Sequence, residues 1–453
     1  MSKAHTRKLP KHIWKIILGI FFLLLISLIV WDSVLSSKYE KKINAHIDEL
    51  KTSGMPVCGD DLYLDLLPSG DNAAPLYLDA FRLLWDKSVP YNFLIPQEFS
   101  NAFTAVFDGD NYDPIIDLGD KTREEQIAYF KAFMAGNKTA FDLIRKASQM
   151  PHCHFELDYS LGFDIDLQNI YIFRNLTNIF IAAAIIAAEE GRTDDALAEW
   201  LTAYRCSNSL KTGPKFIIQL IRYQRIDLCF RYANDFLLRI NIPLDKLKLA
   251  YDVFPVNNLQ PGITDMIKWE RALFLSYYSN NDITRDIACA DQPERTAMSI
   301  WHKSYLYKED VLYSLEYYRQ AQDIIEQNPF WEHRSKLVKW RNDFYHKPQY
   351  FSLSALMYPA VPNIENEYMK TNTKVRMLKL VVALQIYQLE NGRYPDNIGA
   401  LPGDWLDPCS GKPLAYNKTT SGFTLFSPGP DGVINPKASP PYEGDDIIWP
   451  PAD

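Results

Sequence analysis

The sequence predicts a mainly α-helical protein with a single N-terminal transmembrane helix and a small C-terminal α+β module. Three observations lead to this fold class. An uncharged apolar run occupies residues 16–31. Apolar residues then recur at helical spacing, between helix-capping signals, over most of residues 58–350. After Gly392, two short β-rich runs joined by a polar turn replace the helical pattern.

The size and charge of the chain restrict its classes of function. Its 453 residues suffice for two or three domains, and 23% charged with 47% hydrophobic residues is an ordinary globular balance. The formal net charge is −8, although residues 1–31 contain five basic residues and no acidic one. The remainder is therefore more acidic still. This argues against a nucleic-acid partner, because nucleic-acid binding needs a basic surface.

The apolar run predicts that residues 1–31 form a basic cytoplasmic tail and a membrane anchor. As a helix, residues 12–31 would span ~30 Å, and Trp14 and Trp31 lie at its ends like interfacial anchors. Basic residues precede the run, so the N-terminus is expected in the cytoplasm. In a bacterium, this describes a single-pass inner-membrane protein with a periplasmic body. A cleaved signal peptide is the alternative, but residues 33–37 lack an Ala-x-Ala site.

Residues 32–57 are predicted to form a helical stalk. The helical pattern continues over residues 32–53, until Gly54 and Pro56 end it. A fully helical stalk would lift the body ~30 Å off the membrane.

Residues 58–350 are predicted to form an all-helical domain. A capping-box sequence begins a helix at Thr122, and residues 166–190 predict a long helix. Gly191 then separates this helix from the next, for which Thr193 is the predicted N-cap. The resulting hairpin resembles one tetratricopeptide unit. An array needs at least ~3 repeats, so an antiparallel helical hairpin that is tetratricopeptide-like only in part is the preferred interpretation.

Two polar clusters in the helical domain are candidate sites of chemistry. His152 and His154 alternate, so in an extended strand both would point the same way and share a metal with Glu156. A helix-to-loop exit is the preferred interpretation. Asp164 and Asp166 precede a helix, where carboxylates cap the first N–H groups.

Sequence signatures of catalysis were not found. The chain has no G-x-S-x-G elbow, P-loop, H-E-x-x-H or G-x-G-x-x-G motif. Its cysteines form no C-x-x-C pair: they are Cys58, Cys153, Cys206, Cys229, Cys289 and Cys409. The sequence therefore predicts that the protein is not an enzyme.

Residues 351–453 are predicted to form the C-terminal module, beginning with a helix over residues 374–391. Pro359 and Pro362 are expected to prevent a helix before residue 363. Two apolar stripes lie on opposite sides of the predicted helix. The first consists of Val375, Leu378, Val382, Ile386 and Leu389, and the second of Met377, Leu380, Val381 and Leu384. The second stripe predicts that the helix docks against the helical domain as well as against its own sheet.

The remainder of the module is predicted to be a short hairpin and an edge strand. Residues 413–416 and 423–427 read as strands, joined by a turn at 417–422. Residues 445–449 are expected to return as a last edge strand after a proline-rich loop.

Over residues 365–449 this order resembles the globular domain of the major pseudopilin of type II secretion. The resemblance is carried by Asn-Gly-Arg-Tyr-Pro at 391–395, the Asp-Pro-Cys-Ser-Gly turn at 407–411, the Ser-Pro-Gly-Pro-Asp-Gly loop at 427–432, and Asp-Asp-Ile at 445–447 with Trp449. It implies a calcium site formed by Ser427, Asp431, Asp445 and Asp446. Calcium takes 6–8 oxygen ligands, which an irregular acidic loop supplies. The alternative is that these acids are only solvated, since the long segment 433–444 separates them.

The layout of the whole chain resembles large uncharacterised bacterial envelope proteins of planctomycetes and their relatives. Together the two resemblances imply a membrane-anchored structural or interaction protein whose partners are envelope or secretion-system proteins. Two other functions stay open. One is an envelope hydrolase with its active site in the helical domain. The other is a peptide- or glycan-binding groove lined by the tyrosines of residues 301–318.

Overall fold

The computed structural model describes residues 11–62, 71–84, 122–255, 257–279, 301, 303–327, 329–345, 360–420, 422–433 and 446–450. Within these residues the chain is mainly helical, and a three-stranded antiparallel sheet lies near the C-terminus. The predicted mainly α fold class with a small C-terminal α+β region is therefore confirmed.

The helices and strands have the following bounds. Helix α1 is Lys11–Thr52, and the helices of the body are α2 (Ala74–Leu84), α3 (Arg123–Gly136), α4 (Lys138–Ser148), α5 (Gln168–Glu189), α6 (Thr193–Asn208), α7 (Phe216–Leu237), α8 (Leu244–Val253), α9 (Ile263–Ser279), α10 (Tyr305–Gln327) and α11 (Phe330–Tyr345). The C-terminal module consists of α12 (Ala360–Asn391) and the strands β1 (Ala415–Lys418), β2 (Phe423–Ser427) and β3 (Ile447–Trp449).

Helix α1 is long and apolar enough to cross a membrane. Its apolar side chains from Trp14 to Trp31 are exposed, and the Trp31 side chain is 63% exposed. Helix α5 also has the length and composition of a membrane span, but it is mostly buried within the body. We therefore assign α5 to the core and α1 to the class of N-terminal apolar helices, which includes membrane spans and signal sequences.

The C-terminal half of α1, residues 32–52, packs on the body. Ile43 is fully buried, Leu50 is buried, and α1 contacts α10 along its side. The prediction of a stalk that lifts the body off the membrane is therefore wrong, although the predicted helical continuity is confirmed. Residues 32–52 form part of the body because Ile43 and Leu50 are buried and the helix packs against α10.

Of the helix N-caps predicted at Thr122 and Thr193, one is observed and one is not. The capping box before α3 is confirmed: the Thr122 hydroxyl accepts the Glu125 N–H at 3.4 Å, and the Glu125 carboxylate accepts the Thr122 N–H at 2.8 Å. Helices α5 and α6 form the predicted hairpin and pack against each other. Thr193 is not the N-cap of α6. The cap is Arg192, whose side chain makes no capping hydrogen bond.

Helix α12 begins well before the predicted residue 374. Pro362 lies in its first turn, so the prediction that this proline prevents a helix is wrong. The N–H groups of a first turn have no intrahelical acceptor, and a proline there removes no hydrogen bond. The C-terminus agrees with the sequence, since the helix ends at Asn391 and Gly392 has a φ of +72°.

The three strands pair in the order β1-β2-β3. Strand β2 and the predicted edge strand, observed as Ile447–Trp449, are confirmed, whereas β1 begins two residues later than predicted. The shift arises because Pro413 and Leu414 pair elsewhere. Pro413 forms an isolated bridge with Leu406, and the Leu414 N–H donates to the Trp405 carbonyl at 2.8 Å.

Candidate functional site

Both sides of α12 are covered, and this joint between the body and the C-terminal module is the first candidate site. All four residues of the second predicted stripe are buried. In the first stripe, Val375, Leu378 and Val382 are buried, whereas Leu389 in the last turn is exposed, contrary to the prediction. Helix α12 contacts α7, α8, α9 and α11 of the body as well as β3. At ~100° per residue, Tyr368 and Lys379, which bond to the body, share a side with the first stripe, whereas Thr373, which bonds to Asp407 of the module, shares a side with the second stripe.

Polar side chains of α12 bind the loop between α8 and α9 by its backbone. The Asn372 side-chain oxygen accepts the Leu259 N–H at 2.6 Å, and the Tyr368 hydroxyl donates to the Leu259 carbonyl at 3.0 Å. All three residues are buried. A buried backbone amide and carbonyl need hydrogen-bond partners, and here both are supplied by one helix across the joint.

A buried lysine joins α12 to the C-terminal end of α8. The Lys379 ammonium donates to the carbonyls of Tyr251 at 3.0 Å and Phe254 at 2.6 Å, and it lies 4.0 Å from the centre of the Tyr251 ring. These carbonyls belong to a helix terminus, which carries partial negative charge. Burial lowers the pKa of Lys379. The helix terminus thus replaces the water that the ammonium loses.

An ion pair connects α12 to α7 beside these contacts. The Lys374 ammonium bonds to the Asp227 carboxylate. Burial raises the pKa of Asp227, but the nearby charges of Lys374 and Arg231 outweigh this effect and hold it below its ordinary value. Phe230 of the same helix packs edge-to-face on Trp449 of β3, with ring centres 5.5 Å apart. The core is therefore continuous from the body into the sheet.

Within the module, Asp407 of the Asp-Pro-Cys-Ser-Gly turn connects the helix, the turn and the sheet. One carboxylate oxygen accepts the Thr373 hydroxyl and the Cys409 N–H, each at 3.1 Å. The other accepts the hydroxyls of Ser410 at 2.6 Å and Ser427 at 3.0 Å. Asp407 is only 2% exposed. Four hydrogen bonds to one buried carboxylate hold α12 and β2 on the turn, which gives this motif a structural role.

The same turn also contacts the body. Gly411 has a φ of +67°, and a Cβ atom at this position would lie 2.5 Å from the ring of Trp331 in α11. Only glycine meets both conditions without strain, because it has no Cβ and adopts positive φ readily. The glycine of the motif therefore allows α11 to pack directly on the turn.

The predicted calcium ligands lie in different environments. Ser427 is fully buried, donates to Asp407 and accepts the Gly429 N–H at 3.1 Å. Asp431 accepts the Val433 N–H at 2.8 Å, as in a turn. Ser427 pairs with Ile447 in the sheet, so Asp446 lies opposite Pro428 at the start of the loop that contains Asp431.

The fourth predicted ligand, Asp445, lies outside the described residues. Among the described residues, no group of three or more His, Cys, Asp or Glu side chains is arranged to hold a metal ion. The calcium site at Ser427, Asp431, Asp445 and Asp446 therefore remains a prediction. For Ser427, the structure supplies a second role through its hydrogen bond to Asp407.

The histidine cluster of the body has a structural role. The Asn72 side chain donates to the His154 carbonyl at 2.9 Å and accepts the His154 N–H at 2.8 Å. The His152 carbonyl accepts the Ala73 N–H at 2.8 Å. Burial lowers the pKa of His154 and raises that of the neighbouring Cys153 thiol. The segment therefore fixes the start of α2 through its backbone.

One carboxyl group of the body has a strongly perturbed pKa. Burial raises the pKa of Glu270 to about 7, against the opposing effects of the Phe216 N–H and the Lys215 ammonium. The carboxylate accepts the Phe216 N–H at 2.9 Å, at the N-terminus of α7. This contact matches the capping role of an acid at a helix N-terminus, so the perturbed pKa does not itself indicate catalysis.

The tyrosines of residues 301–318 pack mainly in the core. Tyr307, Tyr317 and Tyr318 are buried, and Tyr317 packs on Trp340 of α11 with ring centres 4.4 Å apart. These three tyrosines therefore belong to the core, whereas Tyr305 and Tyr313 are half-buried.

The five cysteines within the described part of the chain are free thiols. Cys153, Cys206, Cys229 and Cys409 are buried, and burial raises the pKa of the first three. A buried thiol with a raised pKa forms little thiolate and reacts slowly. These cysteines therefore read as core residues.

The comparisons with known proteins find no relative. A scan against family models, a search of curated proteins and a search of solved structures each find no match. The resemblances to pseudopilins and to bacterial envelope proteins therefore rest on the sequence motifs alone.

The joint predicts a large difference between two leucines of α12. Leu380 is fully buried and Leu389 is 48% exposed. We expect Leu380→Ala to lower the free energy of unfolding by ~2–5 kcal/mol, because it leaves a cavity. Leu389→Ala is the matched control, with an expected loss below about 1 kcal/mol. Denaturant unfolding of the full-length protein measures both, and equal losses would show that the side of α12 that carries Leu380 is not packed in the core.

The hydrogen bonds to Asp407 predict that replacing this residue destabilises the protein much more than replacing the exposed Asp404. Asp407→Asn keeps the shape of the side chain but replaces an acceptor oxygen with a donor that faces two hydroxyls. We expect a loss of about 2 kcal/mol or more, since hydrogen bonds to charged groups contribute ~1.5–3 kcal/mol each. Asp404→Asn is the control, because exposed Asp404 accepts only the Leu406 N–H among the bonds described. A similar melting temperature for both variants would contradict the role of Asp407.

Proposed function

We propose that this protein is a membrane-anchored structural or interaction protein of the bacterial envelope. Its helical body and C-terminal module lie outside the cytoplasm and act as one packed unit. Its partners are other envelope proteins, among them components of a type II secretion or type IV pilus-like system. The pseudopilin-like motifs indicate the class of partner, and the apolar helix α1 indicates the membrane anchoring.

The observation that carries the proposal is the continuity of α1. The exposed apolar part of this helix passes without a break into residues 32–52, which pack against α10. A signal peptide is removed at an accessible site after its apolar segment. Here the residues directly after the apolar segment are helical and in contact with the body. This favours an uncleaved anchor over a signal peptide.

The charges around the span support the orientation. Five basic residues precede the apolar segment, whereas three, Lys38, Lys41 and Lys42, lie within 15 residues after it. Positive residues near a span remain in the cytoplasm, so the body is expected outside.

Anchoring predicts that the full-length protein stays in the membrane with its N-terminus intact. An N-terminal tag should remain on protein that resists alkaline extraction, and protease added to spheroplasts should degrade the body. Leu23→Lys with Ile26→Lys should abolish membrane retention, because each central lysine costs ~2.5–3.5 kcal/mol in a span. The control is Leu249→Lys, which alters an exposed leucine of the body. Loss of the tag from mature protein would instead identify a signal peptide.

The calcium hypothesis predicts a ligand-dependent melting temperature. Calcium at a hundredfold excess over its dissociation constant would stabilise the full-length protein by ~2.7 kcal/mol relative to chelator. The rise should disappear in Asp431→Ala/Asp446→Ala and persist in Asp396→Ala, which alters an exposed acid of the same module. If calcium leaves the melting temperature unchanged, the loop resembles the pseudopilin loop in sequence but binds no ion.

A further inference from the structure

The body begins where the membrane span ends. The Asp32 carboxylate, one residue beyond Trp31, accepts the Tyr305 N–H at 3.0 Å, which belongs to the first residue of α10. A bilayer has a headgroup layer of ~5–7 Å on each side of its hydrocarbon core. If Trp31 marks the end of the span, the N-terminus of α10 lies within that layer.

Helix α10 leaves this point side by side with α1 and in the same direction. The Tyr39 ring stacks on the Tyr305 ring with centres 6.2 Å apart, and the Tyr39 hydroxyl donates to the Glu309 carboxylate at 2.6 Å. Further along, Lys308 pairs with Glu40. Contacts that advance along both helices together fix their relative orientation. The end of the body at Tyr305 therefore cannot move away from the span independently.

The residues at this end have the composition of a membrane interface. Trp31, Tyr39 and Tyr305 are aromatic residues that carry a polar atom, and such residues are enriched at headgroup level. Trp301 packs edge-on against Tyr307, with centres 5.1 Å apart, and its indole nitrogen is buried.

The charges at this end favour an anionic surface. Within residues 32–42 and 303–309, basic residues outnumber acidic ones: Lys38, Lys41, Lys42, Lys303 and Lys308 against Asp32, Glu40 and Glu309. The side chains of Lys38 and Lys303 are exposed. Ammonium groups beside a span bind the phosphates of lipid headgroups.

We propose that the end of the body formed by Lys303 and Tyr305, together with Trp31 of α1, binds the phospholipid headgroup layer. The body then rests on the bilayer by its own residues and does not project from it on a spacer. This inference rests on the proposed anchoring of α1, and it adds a lipid-binding surface to the body.

The test places a fluorescent label at three positions of the full-length protein in phospholipid nanodiscs. Cys58 and Cys289 are first replaced by serine, since the other four cysteines are buried and unreactive. The label is attached in Lys303→Cys, Lys51→Cys or Phe22→Cys, all of which alter exposed side chains. Quenching by lipids with a nitroxide on the headgroup or on the acyl chain is then measured.

Headgroup nitroxides should remove about half or more of the fluorescence at position 303. They should remove less than about a tenth at position 51, which is ~30 Å further along α1 at 1.5 Å per residue. Acyl-chain nitroxides should quench position 22, which verifies the anchor. Quenching at 22 without quenching at 303 overturns the lipid-binding surface and leaves the anchor intact. No quenching at 22 overturns both, and equal quenching at 51 and 303 overturns the proposed orientation of the body.

Discussion

The burial of α12 on both of its apolar sides is the constraint on which the C-terminal module depends. A helix with two apolar sides is stable only where both are covered. The strands of the module have three to five residues each, and this sheet is too small to cover more than one side. Helices α7, α8 and α9 cover the other. The hydrophobic core of the module is therefore completed by the body.

Polar contacts determine the position of α12 within this joint. Apolar stripes alone permit a helix to slide or rotate by small amounts, since they have no directional partner. Lys379 and Asn372 each need particular backbone atoms, and a shift of α12 by one residue would leave these buried groups without hydrogen bonds. Asp407 imposes the same requirement from the side of the sheet. Burial of the apolar surface thus stabilises the joint, and the polar groups fix the position of α12 along and around its axis.

Sequence periodicity predicts the parts of this arrangement that depend on local pattern. The two stripes of α12, its end at Gly392 and the Thr122 capping box are all local signals. The partners of Lys379, Asn372 and Asp407 depend on the path of distant segments, which no spacing within one helix reveals. Pro362 was misleading because the effect of a proline depends on whether it lies in the first turn. For the C-terminal half of α1 a signal was present: Ile43 and Leu50 recur at a helical spacing, which indicates a packed face.

Helix α1 and the C-terminal module are connected through helix packing. Helix α10, which contacts α1, packs on α11 through Tyr317 and Trp340. Helix α11 bonds to α12 through His333 and Glu365, whose side chains are buried and 2.7 Å apart. Burial raises the pKa of Glu365, and the imidazole of His333 opposes this effect. Because every step in this series joins two helices, packing fixes the position of the module relative to α1.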